Sequence, residues 1–172
     1  MATRTLLWIC VITAAVPLGA TTAHLLELPN KLGLDGPLWL AVQQNVYRGW
    51  GPFIAPFEIA AIVSAWALAY LLRRWRAAFP WVLAAALCLS AMLVEFFLIV
   101  EPVNVAFARW TPATLPPDWA EYRLRWEVGH AIGFILALVA FCALLRTAFI
   151  AACADALQRR SVERPAALVD EA

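Results

Sequence analysis

The sequence predicts an all-α fold: an integral membrane four-helix bundle with a short interfacial helix between spans one and two. Three observations predict it. Of 172 residues, 64% are hydrophobic and only 15% charged, far more apolar than a water-soluble domain. The apolar residues gather into four runs of about 20 residues or more, the length that crosses a bilayer core. The breaks between the runs hold the prolines, glycines and arginines that end or flank spans. The length suits four spans without a separate soluble domain, so one bundle over 1–150 and a polar tail over 151–172 are expected.

Span one runs from about Thr5 to Leu28, interrupted by Pro17 and Gly19, which membrane helices tolerate. Its polar end reads "AHLLELPNK", where Pro29 supplies a stop signal. The half-apolar segment "LWLAVQQNVYRGWGP" follows as the interfacial helix, with Trp39, Tyr47 and Trp50 expected at headgroup level. Span two, about Phe53 to Leu72, stops at "RRWR", and span three, about Phe79 to Val100, stops at "EPVN". The short basic turn between them makes an antiparallel hairpin. After Pro102 a polar loop, "VNVAFARWTPATLPP", leads to Asp118 and Glu121, spaced as an N-cap and its capping box. The last helix is expected to start near Trp119, run about two turns outside the hydrocarbon, and cross from Val128 to Ile150. A tail with "RR" and "ERP" is expected to be disordered.

Arg4, the cluster Arg73, Arg74 and Arg76, and Arg159 with Arg160 fall on one side, which predicts that side and both termini as cytoplasmic. Lys31, Arg48, Arg109, Arg123 and Arg125 on the other side weigh against this. A second reading of the N-terminus takes "TTA" before His24 as a signal-peptide cleavage site after Ala23, although the run exceeds a usual h-region. Near-zero net charge without blocks of like charge excludes nucleic acid as a partner and leaves the lipid bilayer. Cys10, Cys88, Cys142 and Cys153 are scattered and read as small buried hydrophobes. The number of subunits has no signature in the sequence.

Ionisable groups beside hydrocarbon are costly, so their placement is informative. His24 and Glu27 on helix one, Glu58 on helix two, Glu95 and Glu101 on helix three, and Glu127 and His130 on helix four all lie toward the non-cytoplasmic half. His24 with Glu27 and Glu127 with His130 are each three apart, on one helix face. Their order reverses between helices that run in opposite directions, which sets both histidines deeper and both carboxylates shallower. With Glu58 and Glu95 added, this is the donor inventory of a di-metal carboxylate site, with His24, Glu27, Glu127 and His130 as candidate metal ligands. Such donors suit iron, manganese or zinc. One helix carries His-x-x-Glu where soluble di-metal bundles carry Glu-x-x-His.

Haem between His24 and His130 is the rival cofactor, with Ala20, Ala23, Gly129 and Gly133 leaving room for a ring. A site without a cofactor is the third reading. Against all three stands a non-catalytic membrane protein, its carboxylates paired with Lys31, Arg123 or Arg125 and its histidines serving helix packing, ligand binding or subunit assembly. At about 100° per residue, Trp119, Arg123, Trp126 and His130 share a stripe of helix four. That stripe reads either as a funnel in which Trp119 and Trp126 line a substrate pocket, or as an aromatic belt.

The blocks "AHLLELPNK", "AVQQNVYRGW", "EPVN" and "LPPDWAEYRLRWEVGHA" resemble the signatures of a small four-span bacterial membrane family grouped with the anthrone oxygenases. The resemblance covers about His24 to Leu145 and implies a multi-pass protein of the bacterial inner membrane. It marks His24, Glu27, Pro29, Tyr47, Arg48, Trp50, Pro102, Asn104, Trp119, Arg123, Trp126, Glu127 and His130, and leaves Glu58 and Glu95 unmatched. It implies an oxidoreductase acting on a lipophilic small molecule, oxidising an anthrone-like methylene with molecular oxygen. In that chemistry His130 is the general base, Glu127 orients it, and Arg123 or Asn104 steadies the developing phenolate.

Overall fold

Four helical stretches among the described residues are long and apolar enough to cross a membrane: Thr3–Leu32, Trp50–Leu72, Phe79–Phe107 and Trp119–Gln158. The computed structural model describes residues 2–169, with side chains for residues 3–158. Its elements are α1 (Ala2–Leu32), α2 (Gly36–Asn45), α3 (Trp50–Leu72), α4 (Phe79–Glu95), a π-helical turn (Phe96–Val100), α5 (Glu101–Phe107) and α6 (Trp119–Val169). The expected all-α, four-span class is therefore what the chain adopts, and it is a multi-pass membrane protein.

The helix α1 borders α3 and α6, and α4 borders the same two from the opposite corner. Cross-links fix the directions. The Cys10 thiol faces the Ala61 carbonyl at 3.6 Å, Arg4 reaches Asp155 at 3.9 Å, and the Trp66 indole donates to Ser90 at 3.0 Å. Arg125 donates to the Leu98 carbonyl at 2.8 Å. Every neighbouring pair of spans is thus antiparallel.

The half of the bundle nearest the Arg73 turn is solid. Ala61, Ala65 and Ala69 on α3, Ala85 and Ala86 on α4, and Ala137, Ala140 and Ala143 on α6 are buried there. Lipid tails are as apolar as leucine, so spans are held by close van der Waals packing, which small residues permit. Large side chains such as Ile12, Val63, Phe97, Ile135 and Phe149 point outward, as in helices that are apolar all round.

The other half departs from the expected outline. The helix α1 runs through Pro29 to Leu32 in place of stopping near Leu28. Its last carbonyls have a partner: Arg123 of α6 donates to the backbone oxygens of Lys31 at 3.4 Å and Leu34 at 2.9 Å, satisfying acceptors that a helix end leaves bare. The helix α2 is capped by Asp35, whose carboxylate accepts from the Leu38 N–H at 2.9 Å. Trp39, expected at headgroup level, packs inside the protein. It is fully buried, against Phe107 at 5.9 Å and Trp119 at 6.0 Å.

The third span likewise continues past Val100, through the π-helical turn and α5, where a polar loop was expected. Pro102 sits in the first turn of α5, where its missing N–H costs nothing. At the start of α6 the expected side-chain cap is replaced by a backbone bond from the Glu121 N–H to the Asp118 carbonyl, 2.9 Å. The α6 backbone stays helical to Val169. The side chains of Arg159 and Arg160 lie outside the described residues.

The glycines of "GHAIG" explain how α6 approaches the π-helical turn. A Cβ built on Gly129 would lie 2.6 Å from Val100 Cγ2 and 2.9 Å from Glu95 Oε1, and one on Gly133 would lie 3.6 Å from Glu95 Oε2. This is the small-xxx-small notch of membrane helices, here filled by a carboxylate. Gly129→Ala is expected to destabilise the bundle by about 1–3 kcal/mol, because the stiff Val100 branch must move. Gly19, with open space around it, is the control. Unfolding of both variants in detergent checks this, and equal stabilities would remove the notch from the account.

Candidate functional site

A buried lysine joins α1 to α6. Lys31 is 3% exposed, and its ammonium lies 3.1 Å from the carboxylate of Glu127, itself 2% exposed, and 3.8 Å from Glu27 one turn back. It also faces the rings of Trp126 at 4.7 Å and Tyr47 at 5.2 Å. A cation at this depth needs opposite charge beside it, and the two carboxylates and two π-faces supply it.

The α1 turn before this pair carries His24 into the bundle, where it is 6% exposed. Its ring contacts those of His130 at 4.1 Å, Tyr47 at 4.7 Å, Trp126 at 4.9 Å and Trp50 at 5.3 Å. His130 Nδ1 lies 2.9 Å from the Trp126 carbonyl. A carbonyl only accepts, so Nδ1 carries a proton and the neutral ring keeps its lone pair on Nε2.

Further bonds set the walls. The Trp126 indole donates to Asn104 Oδ1 at 2.9 Å, and Asn104 donates to Glu101 at 3.0 Å. The Tyr47 hydroxyl donates to Glu27. Burial, that bond, and the charges of Glu27 and Glu127 push the Tyr47 phenol above its ordinary range.

Beside these rings lies a cavity of about 840 Å³, bounded by α1, α2, α3, the α4 to α5 run, and α6. That is room for a small organic molecule. His24, His130, Trp126, Tyr47 and Asn104 line it, together with Gln43, Glu58 and Glu95. The helix α2 covers it, fastened by Gln44, whose amide donates to the Phe107 carbonyl at 2.8 Å and the Trp110 carbonyl at 2.9 Å. Gly49, at φ 88°, makes the left-handed turn from the cover into α3.

The structure brings His24, His130, Trp126 and Asn104 to one cavity. Glu27 and Glu127 are drawn away from the histidines to Lys31, and the group that orients His130 is the Trp126 carbonyl in place of Glu127. Arg123 caps α1 and stacks on Trp119 at 4.7 Å, while Trp119 packs on Trp39. Neither borders the cavity.

As a ligand set, His24, Glu27, Glu127 and His130 do not converge: among the described residues no group of three or more His, Cys, Asp or Glu is placed to hold a metal ion. The Lys31 ammonium stands between the two carboxylates where a cation was expected. The haem reading fails on geometry, because histidine rings in contact at 4.1 Å leave no space between them for a macrocycle.

A family described as anthrone oxygenase matches residues 45–143, more than half of the chain. The chain belongs to the anthrone oxygenase family. No curated protein and no solved structure matches it. In this anthrone oxygenase relative the matched region holds Tyr47, Asn104, Trp126 and His130, and the fold adds His24 from α1, ahead of that region.

The sequence reading passed over Gln43, and the resemblance left Glu58 and Glu95 unmatched, yet all three border the cavity. Trp39, Gln43 and Tyr47 are spaced four apart, the one signal that could have put Gln43 on the buried face of α2.

Removing one member of a buried ion pair leaves the other uncompensated, so Lys31→Met is expected to cost about 3–5 kcal/mol. Lys31→Met/Glu127→Leu should recover much of that loss in detergent unfolding. Tyr47 gives a pH signature. Its folded form holds the proton more tightly than the unfolded chain, so its stabilisation is complete below about pH 10 and is lost as pH rises through the raised folded value. The wild-type minus Tyr47→Phe phenolate absorbance should therefore be absent at about pH 10. A normal titration there contradicts the partly buried Tyr47–Glu27 bond.

Proposed function

We propose that this protein is a membrane oxidoreductase that uses molecular oxygen to oxidise a lipophilic small molecule held in the cavity, with His130 as general base. The observation that carries the reading is His130 itself: its Nδ1 is tied to the Trp126 carbonyl at 2.9 Å, and its ring borders a cavity of about 840 Å³. This leaves Nε2 as a proton acceptor of fixed tautomer beside room for a substrate.

Family membership supplies the chemistry. An acidic methylene next to aromatic rings gives a proton to Nε2, and the carbanion is oxidised by oxygen. In the whole reaction the methylene carbon becomes a carbonyl, and the second oxygen atom leaves with both hydrogens as water. His24, edge-on to His130, holds that ring in place, and Trp50 and Trp126 border the space that the substrate would fill. Asn104, with one amide hydrogen on Glu101, has a second for a developing phenolate. Packing glue alone does not account for a cavity against the histidine pair.

Within this reading the substrate arrives from the bilayer, and the cavity faces the non-cytoplasmic side of a bacterial inner membrane. Support for that orientation comes from Arg4, Arg73, Arg74 and Arg76, which mark the opposite end.

Oxygen uptake by the purified protein with an anthrone-like phenol tests the proposal. His130→Ala is expected to lower kcat by about 100-fold or more, the usual worth of a general base, with KM little changed. Uptake unchanged in folded His130→Ala would sink the base assignment.

A further inference from the structure

The cavity holds two carboxylates that the oxidation reading does not use. Glu58 comes from α3 and Glu95 from the last turn of α4, and both border the cavity. They are close enough for their charges to interact. Each has a buried Oε1 without a hydrogen-bond partner among the described residues. Glu95 is held against α6 by the Gly129–Gly133 notch, which leaves space where any other residue would put a Cβ.

Among the described residues no cation forms an ion pair with either of them. Lys31 is committed to Glu127 and Glu27. Arg48 borders the cavity yet makes no ion pair among the described residues.

A second set of groups in the same space is also unanswered. Gln43 is 2% exposed, and among the described residues neither its amide oxygen nor its amide nitrogen has a partner. His24, 6% exposed, keeps an unpartnered Nδ1. Polar side chains this deep are nearly always satisfied, and groups that are not point to something that satisfies them when bound. The remaining wall is aromatic, including Trp50 and Trp126.

We propose that the cavity binds a lipophilic organic cation, a quaternary or protonated amine with apolar substituents, whose charge is met by Glu58 and Glu95 and whose body lies on the tryptophan faces. Two uncompensated carboxylates at membrane depth are costly, and a cation bound between aromatic walls removes that cost by direct attraction and by cation–π contact. This inference goes beyond the oxidation reading and does not rest on it. Binding requires no turnover, so loss of either leaves the other standing.

The test is equilibrium dialysis of the full chain in neutral detergent micelles, with protein-free micelles subtracted, using tetraphenylphosphonium and its near-isosteric anion tetraphenylborate. The expected result is saturable one-to-one binding of the cation, no saturable binding of the anion, and cation affinity at least about 10-fold weaker in Glu58→Gln/Glu95→Gln, a loss of about 1.4 kcal/mol. Saturable binding of the anion with equal affinity, binding of neither ion, or full cation affinity in the folded double variant would each overturn the proposal. If the double variant does not fold, the contrast between the two ions on the wild type decides alone.

Discussion

The functional half of this bundle depends on where one lysine ammonium can go. Lys31 sits near the end of a membrane span at 3% exposure, and a charge there is tolerated only beside opposite charge. Glu127, 3.1 Å away on α6, provides most of it. Once that contact is made, the register of α1 against α6 is fixed, and much follows. Arg123, one turn before Glu127, falls beside the end of α1 and donates to the carbonyls of Lys31 and Leu34. His130, one turn after Glu127, falls level with His24. The ion pair beside them helps hold the helices in the register at which the two imidazoles touch.

The rest of the bundle divides the work. Its solid half is built on alanine, which brings spans close and rigid. The opposite half forgoes that packing: the π-helical turn after Glu95, the proline-started α5 and the α2 cover leave a cavity at the point where the ion pair delivers the histidines. Trp126 belongs to both systems. Its ring faces Lys31, its indole N–H is held by Asn104, and its carbonyl sets the tautomer of His130. A substitution at Trp126 therefore reaches the ion pair, the cavity wall and the histidine together.

Much of this was legible in the sequence. Four apolar runs of spanning length give the bundle directly, and the reversed His/Glu order on two antiparallel helices places His24 and His130 at one depth. What the carboxylates do was not legible, because an acidic side chain three residues from a histidine reads the same whether it ligates a metal or holds a lysine from another helix. Lys31 stood among the candidate partners of these carboxylates, and only the fold shows its ammonium 3.1 Å from Glu127 and 3.8 Å from Glu27. Pro29 misled as a stop signal: α1 runs on through it to Leu32, and Arg123, distant in sequence, meets the carbonyls of Lys31 and Leu34 at that end. Trp39 looked like an interface residue because its partners, Phe107 and Trp119, follow it by most of the chain. Their position in the spans grouped Glu58 and Glu95 with the histidines, the resemblance left them unmatched, and the fold has both border the cavity.

The chain has only two histidines, so histidine-labelled protein in lipid or detergent gives two ring spin systems and one distance to measure. The central claim is that the Lys31–Glu127 pair sets the register that holds these rings in contact at 4.1 Å. The most direct measurement is the through-space NMR cross-peak between the His24 and His130 rings, in the wild type and in Lys31→Met with its helical content intact. The account predicts a strong cross-peak in the wild type that is lost or greatly weakened in the variant. No cross-peak in the wild type, or one of undiminished strength in the variant, would contradict it.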